Sequence, residues 1–412
     1  MWSAVASAQF QQYAPPGSLA ELPEDRHARL ERALHDAPHD VGKVRIQPWY
    51  ALRDLGVAVN PGRDQGASSS DLHARIGAGL EGYLPVGRHT VAAAYARPEY
   101  AWWNTLSSER RLIGRYGAGA LSRHSHVSIE AFVTRDDLQL ASTADVRHDA
   151  STRLDTGGLA LEVRPWGRLS FFGGAYVRRT TDLEGDPTGT PPALSTLDRT
   201  EDLLRAGIRY RLRSDLVVGL GAESTRAVFE HAACGCDNSG IAPLFELRYD
   251  RSPLRFDASL ARRDQRPDGA ATFAPYQTID GTVRVGLAPG GRFSYALYGL
   301  RGFSYTQDAG YSYLRSDRIG ASWSARVGWR VWPRVFAETG RNDYAGRTPG
   351  AATRRDLVTS YGVEARVEVW RRSSVVLRAT RTRYDSNLPS SDRSAGALTL
   401  DLQLGGGGGF SW

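Results

Sequence analysis

Alternation with a period of two residues runs through most of the chain, and it constrains the fold more than any other feature. In "RIGASWSARVGWRVWPR", residues 318–334, Ile319, Ala321, Trp323, Ala325, Val327, Trp329 and Val331 fall on one side. Arg318, Ser322, Ser324, Arg326 and Arg330 fall on the other, with Gly320 and Gly328 between them. Successive side chains point to opposite faces in an extended strand, so the stretch reads as one strand with an apolar face and a wet face. At about fifteen residues it is roughly twice the usual strand length. The pattern recurs. Leu204, Ala206, Ile208, Tyr210 and Leu212 alternate with Arg205, Arg209 and Arg211. Tyr361, Val363, Ala365, Val367 and Val369 alternate with Glu364, Arg366 and Glu368. Leu398, Leu400, Leu402 and Leu404 alternate with Thr399, Asp401 and Gln403.

The breaks between these runs come in two kinds. Short Gly-, Pro-, Ser- and Asp-rich turns fall at 84–88, 121–125, 164–168, 212–216, 249–254, 288–292, 331–334 and 370–374. Longer polar stretches fall between them, at 60–71, 141–151, 184–196, 231–240 and 343–356. Short and long connections therefore alternate, which in an up-and-down arrangement puts all short turns at one end and all long loops at the other. The runs number about eighteen, the first near 44–58 and the last near 395–404. A propeller would hold four short strands in each repeat of this length, and a sandwich array would use shorter strands.

The chain contains no apolar run of eighteen residues, and mean hydropathy is −0.40, so a helical membrane span is excluded. A membrane barrel is not, because its strands are only half apolar. The expected fold is all-β: a transmembrane up-and-down antiparallel β-barrel of about eighteen strands, with a short N-terminal helical segment. Lipid then lies against the apolar rows and water against the arginines, which implies the outer membrane of a Gram-negative bacterium. Pro98 strains this reading, because a closed barrel has no free edge to accommodate it. A bulge, or a strand end above the membrane, is expected there.

Residues 44–404 form the expected barrel. Ahead of it, 1–8 reads as the remnant of a signal peptide, with Ala6-Ser7-Ala8 before Gln9 resembling a cleavage site. Residues 9–43 read as a periplasmic segment whose helix spans roughly 23–36, with Pro23 at its start and Pro38 beyond its end. Two placements are open for it, a periplasmic tail or a plug in the lumen. Residues 405–412 form a Gly-rich tail; either Phe410 or Trp412 stands in for a terminal aromatic, or the assembly signal is weaker. Trp49, Trp102, Trp103, Trp166, Trp332 and Trp370 lie at strand ends, as an interfacial aromatic girdle would.

Charge is carried by arginine: the chain has a single lysine, Lys43, among 52 basic residues, and a formal net charge of +7. Arg205, Arg209, Arg211, Arg248, Arg284, Arg326, Arg330, Arg366 and Arg378 share the polar parity of their strands and are expected to line the lumen. Glu246, Asp257, Glu338, Glu364, Glu368 and Asp401 share it too. Two roles are open for these rows: cross-strand ion pairs that brace the wall, or an excess of positive charge that attracts anionic solutes.

No G-x-S-x-G, H-E-x-x-H or phosphate-loop motif occurs, so the chain reads as a non-enzyme with no cofactor. His124 and His126 flank a turn without a third ligand, and no metal is expected. Basic residues sit inside strands among acids rather than in a helix or run, which argues against nucleic acid. The two cysteines, Cys234 and Cys236, lie in one loop, and a C-x-C bridge is strained but feasible in an oxidising compartment.

"VRIQPWYALRDLGVAVN" followed by "SDLHARIGAGLEGYLPVGRHTVAAAYARPEYAWW", and the ending "TRYDSNLPSSDRSAGALTLDLQL", resemble outer-membrane β-barrel proteins of the porin-2 type. The likeness covers most of 44–404 and consists of texture and short phrases. Several such proteins accompany exopolysaccharide or capsule export systems. The resemblance implies a pore or export conduit for exopolysaccharide or other anionic solutes, with a polysaccharide substrate and periplasmic export proteins as partners beside outer-membrane lipid and lipopolysaccharide. The alternative is a structural or surface-binding barrel without transport activity.

Overall fold

Each alternating run pairs antiparallel with its chain neighbours, and the last returns to the first, so the sheet closes without an edge. The computed structural model describes residues 17–20, 25–59, 70–140, 150–183, 198–230, 236–269, 274–306, 310–346, 353–370, 373–404 and 410–412. A helix, α1 (Arg26–Asp36), and a short strand, β1 (His39–Val41), precede the barrel, and β1 pairs only with β2. The eighteen barrel strands open with β2 (Val44–Val59), β3 (Ser70–Val86), β4 (Thr90–Trp103), β5 (Arg111–Arg123), β6 (Val127–Leu140) and β7 (Ala150–Trp166). They continue with β8 (Leu169–Asp182), β9 (Arg199–Arg213), β10 (Leu216–Phe229), β11 (Asn238–Arg251), β12 (Leu254–Pro267) and β13 (Tyr276–Leu287). The last six are β14 (Phe293–Tyr305), β15 (Tyr311–Ala325), β16 (Val331–Gly346), β17 (Arg354–Trp370), β18 (Ser373–Ser386) and β19 (Arg393–Leu404). The expected fold class is the observed one.

The two faces differ as the alternation requires. On β9, Leu204 is 57% exposed while Arg205 is 3% exposed. Leu204, Ile208 and Tyr210 face out, and Glu201, Leu203, Arg205 and Arg209 face in. Ile319, Val363 and Leu398 likewise stand on the outside. An exposed apolar band of this kind would be a liability in water and is the natural surface in a bilayer, where a closed barrel satisfies every ladder hydrogen bond. The protein is an outer-membrane β-barrel. No described helix is long and apolar enough to cross a membrane.

Short turns join the strands at one end, as at 87–89, 124–126, 167–168, 214–215, 252–253 and 288–292. One expected turn is displaced. The stretch 318–334 is not a single strand: β15 ends at Ala325, the chain turns over 326–330, and β16 starts at Val331. Gly328 decides this, because it holds φ +63°, a conformation that side chains with a Cβ resist. Pro333, which suggested the turn, instead lies within β16 opposite Ala365. Pro98 needs neither a bulge nor a strand end. Its β4 segment stays paired to β5 at Gly114, while pairing to β3 lapses between Gly77–Glu99 and Leu80–Ala96. The expected long connections at 60–71, 141–151 and 184–196 lie largely outside the described residues, as does the cleavage-like site within 1–8; those at 231–240 and 343–356 are shorter than expected, since β11 starts at Asn238, β16 runs to Gly346 and β17 starts at Arg354.

Candidate functional site: the inner wall and the segments folded into it

Inward positions on neighbouring strands come within reach of one another, and charged residues occupy many of them. Arg209 of β9 donates to Glu246 of β11 at 2.7 and 3.2 Å and lies 3.5 Å from Glu162 of β7. Arg248 reaches Asp257 on the adjacent β12 at 3.1 Å, and Arg284 of β13 approaches the same carboxylate at 3.6 Å. Arg263 lies between Asp280 at 3.0 Å and Glu223 at 3.4 Å. Arg205 packs its guanidinium over Tyr176 and Phe172. Arg378 donates to Glu364 directly opposite at 3.1 Å, Glu338 accepts from the Tyr298 hydroxyl at 2.8 Å, and Asp401 accepts from the Asp54 backbone N–H at 2.7 Å. Arg366 stands opposite Trp332 and Val376, and Glu368 opposite Ser374; Arg211 keeps the inward parity near the short-turn end.

Arg326 and Arg330 do not belong to this wall. Both lie exposed in the turn after β15, where the Arg330 guanidinium sits 3.4 Å from the Trp329 ring centroid. The expected girdle also divides. Trp166 and Trp370 stand 65% and 71% exposed at the short-turn end, and Trp102 faces out at the other end beneath Arg110. Trp103 is buried inside, stacked on His73 at 4.7 Å. Trp49 is buried beside Arg53, and Trp332 shares the side of Arg334 and Phe336. A bulge at Arg53–Gly56, with Asp54 at φ +53°, reverses the parity of β2, so Leu55, Val57 and Val59 face out while Trp49 faces in. Trp329, 64% exposed, is an aromatic at the lower rim that a single-strand reading hid.

Described residues from both flanking segments turn into the barrel. Asp25 caps α1 by accepting from the His27 backbone N–H at 3.1 Å. The helix buries Leu30 completely against Tyr83, Val91, Ala93 and Leu121 of the wall and against Phe410. Arg26 pairs with Glu130 of β6, and Arg29 donates to the Ser411 carbonyl at 2.7 Å. Arg97 donates to the Phe410 carbonyl at 2.7 Å, and Trp412 stacks on Phe132 with ring planes 3° apart. Farther round, Gly17–Ala20 meets the opposite wall: Glu338 accepts from the Gly17 N–H, and Arg284 donates to the Leu19 carbonyl. Of the N-terminal segment, residues 17–20 and 26–36 pack against inward-facing wall residues, while His39–Val41 lie exposed beside β2. Phe410 and Trp412 pack against the inner wall too.

One strand end also turns inward. β13 and β14 pair only from Gly281–Arg301 to Leu287–Tyr295. Beyond that point, Phe303, Tyr305 and Thr306 are buried. The Tyr305 hydroxyl donates to Asn238 of β11 at 2.9 Å, and Arg199 of β9 lies over its ring. Cys236 is buried in this cluster and disulfide-bonded; Cys234, the chain's other cysteine, lies outside the described residues. No alternation marks such a bend, because it depends on contacts with strands far away in sequence.

No family model matches the chain, and no curated protein does. Solved structures do. The chain is similar to OccAB3 of Acinetobacter baumannii, with a TM-score of 0.51 and 10% identity over 87% of this chain and 99% of that one. It is similar to OpdK of Pseudomonas aeruginosa solved with vanillate, at 0.51 and 14% over 87% and 98%. A BenF-like porin from Pseudomonas fluorescens Pf-5 aligns at 0.53 and 10% over 87% and 98%. At such identities the likeness carries the fold. Of the porin-2 resemblance, the outer-membrane barrel is met and the porin-2 type itself is not; the solved structures it is similar to are Occ/Opd and BenF-like porins.

Proposed function

We propose that this barrel is a solute pore of the outer membrane with a preference for anions. One observation carries the reading: the inward face carries arginines and carboxylates throughout, interspersed with apolar clusters, where a dry core would be apolar. An eighteen-strand barrel is wide enough for water, and charged side chains need it. The anionic preference draws on Arg115, which shares the inward parity of the buried Ile113 yet is exposed, standing between Arg97 of β4 and Asp136 of β6. The OpdK neighbour, solved with the carboxylate vanillate, supports small anions as the class. Planar-bilayer recording under a salt gradient tests this. Anion-selective reversal potentials that weaken in Arg115→Glu are expected, and cation selectivity in the native barrel overturns the preference.

Exopolysaccharide is the larger cargo that the porin-2 resemblance implies, with periplasmic export proteins as partners. A polymer would have to pass α1 and the Phe410–Trp412 tail, so export requires those segments to move. Secreted polymer should fall when the protein is deleted. The same luminal segments favour a second reading, a structural or surface-binding barrel that does not conduct. Folded protein that inserts into bilayers without any current would favour it.

A further inference from the structure

The outer face of β14–β17, just above the apolar band, carries an arginine cluster that its own carboxylates do not neutralise. On β17, outward residues from Val367 to Leu357 are apolar or uncharged, about 34 Å of strand at 3.4 Å per residue. Tilted as barrel strands are, that covers a band about 25 Å tall. Charge begins immediately above it, toward the long-loop end. Arg301, Asp317 and Arg341 lie side by side on β14, β15 and β16, and Arg315, Asp343 and Arg355 form the next row on β15, β16 and β17. Asp317 receives Arg301 at 2.5 Å, Arg315 at 3.5 Å and Arg341 at 3.9 Å. Asp343 receives Arg315 at 2.5 Å, Arg355 at 2.8 Å and Arg341 at 3.0 Å. Four guanidiniums thus share two carboxylates. At a similar height on other strands the pairing is one to one, as for Arg135 with Asp155 and Arg179 with Glu230.

A cavity of about 470 Å³ opens beside the cluster, lined by Gln277, Tyr313, Arg315, Asp343, Arg355 and Asn387 among others. There β14 parts from β13 above Arg301 while staying paired to β15 as far as Tyr305–Tyr313, and the Tyr313 hydroxyl bridges the gap to β13 by donating to the Pro275 carbonyl at 3.1 Å. The Arg301, Arg341 and Arg355 side chains remain 48%, 41% and 63% exposed.

We infer that this cavity and its arginine rows form a binding site for the phosphate groups of an outer-leaflet glycolipid. Excess guanidinium favours a dianionic, multidentate oxygen acceptor over a monovalent carboxylate. The height of the rows, directly above the acyl-facing band, sets the ligand as a lipid headgroup rather than a soluble anion. The inference rests on the barrel's placement in the outer membrane and is independent of what crosses the lumen.

Native mass spectrometry of the detergent-purified full chain with a bisphosphorylated glucosamine-disaccharide lipid tests it. The comparators are the same lipid lacking both phosphates, and inorganic phosphate. Bisphosphorylated lipid should bind, the dephosphorylated form should bind at least about tenfold more weakly, and R315Q/R355Q should lose about tenfold or more. Arg135→Gln, on the one-to-one ladder, should retain native affinity. Where heat-modifiability on gels shows that the double variant fails to fold, the single R355Q, whose side chain is largely in solvent, carries the test with the same expected direction. Equal binding of the two lipids, unchanged affinity in the folded arginine variants, or competition by millimolar inorganic phosphate would each overturn the inference, the last pointing to a free-anion site.

Discussion

Arg209 on β9 and Glu246 on β11 form a two-point ion pair that spans an entire intervening strand, passing over Gly219 of β10. A Cβ at Gly219 would stand 2.9 Å from Glu246 Oε2 and 3.3 Å from Arg209 Cγ. The glycine therefore makes the pair geometrically available.

Gly219→Val should break this pair and leave both charges poorly matched at the wall. The expected cost is about 1–3 kcal/mol, read as a lower urea midpoint for the barrel refolded in vesicles. An unchanged midpoint would mean that luminal water solvates the two groups as well as they solvate each other.

Leu30 anchors α1 to Tyr83, Val91 and Phe410. Leu30→Asp places a charge in that apolar contact and should release the helix from the wall. Single-channel conductance should rise, and deleting residues 410–412 should raise it further. If neither change alters the current, the luminal segments do not restrict the pore.

Val363 faces outward in the middle of the apolar band at 54% exposure. Val363→Arg should cost about 2–4 kcal/mol of membrane stability, while Val363→Leu should be close to neutral. The folded fraction in vesicles measures both. A silent arginine at this position would contradict the assignment of that face to lipid.

Gly328 holds φ +63° in the turn between β15 and β16. Gly328→Val should cost about 1–3 kcal/mol because a β-branched residue is strained there, and Gly328→Asn should cost less. Comparing the urea midpoints of the two variants would show whether the turn depends on this backbone conformation.

What the sequence determined by itself is whatever depends on local geometry. Strand alternation reflects the opposite orientation of adjacent side chains, so the rows around Leu204, Val363 and Leu398 declare an apolar face without reference to any partner. Turn chemistry is equally local, and most short turns lie where Gly, Pro and Asp place them. The strand number and the helix follow from these signals, though the helix starts at Arg26 behind the Asp25 cap rather than near 23. Tertiary structure decided the rest, because it required residues remote in sequence. The Asp54 bulge turns Trp49 inward, and its N–H is held by Asp401 on a strand at the other end of the chain. Closure brings Arg26 to Glu130 and Trp412 to Phe132, which puts α1 and residues 410–412 against the inner wall. The inward bend of Tyr305 is held by Asn238 and Arg199, two partners on separate strands. A period of two says that a residue changes face at each step; it does not say what waits on the other side of a closed wall.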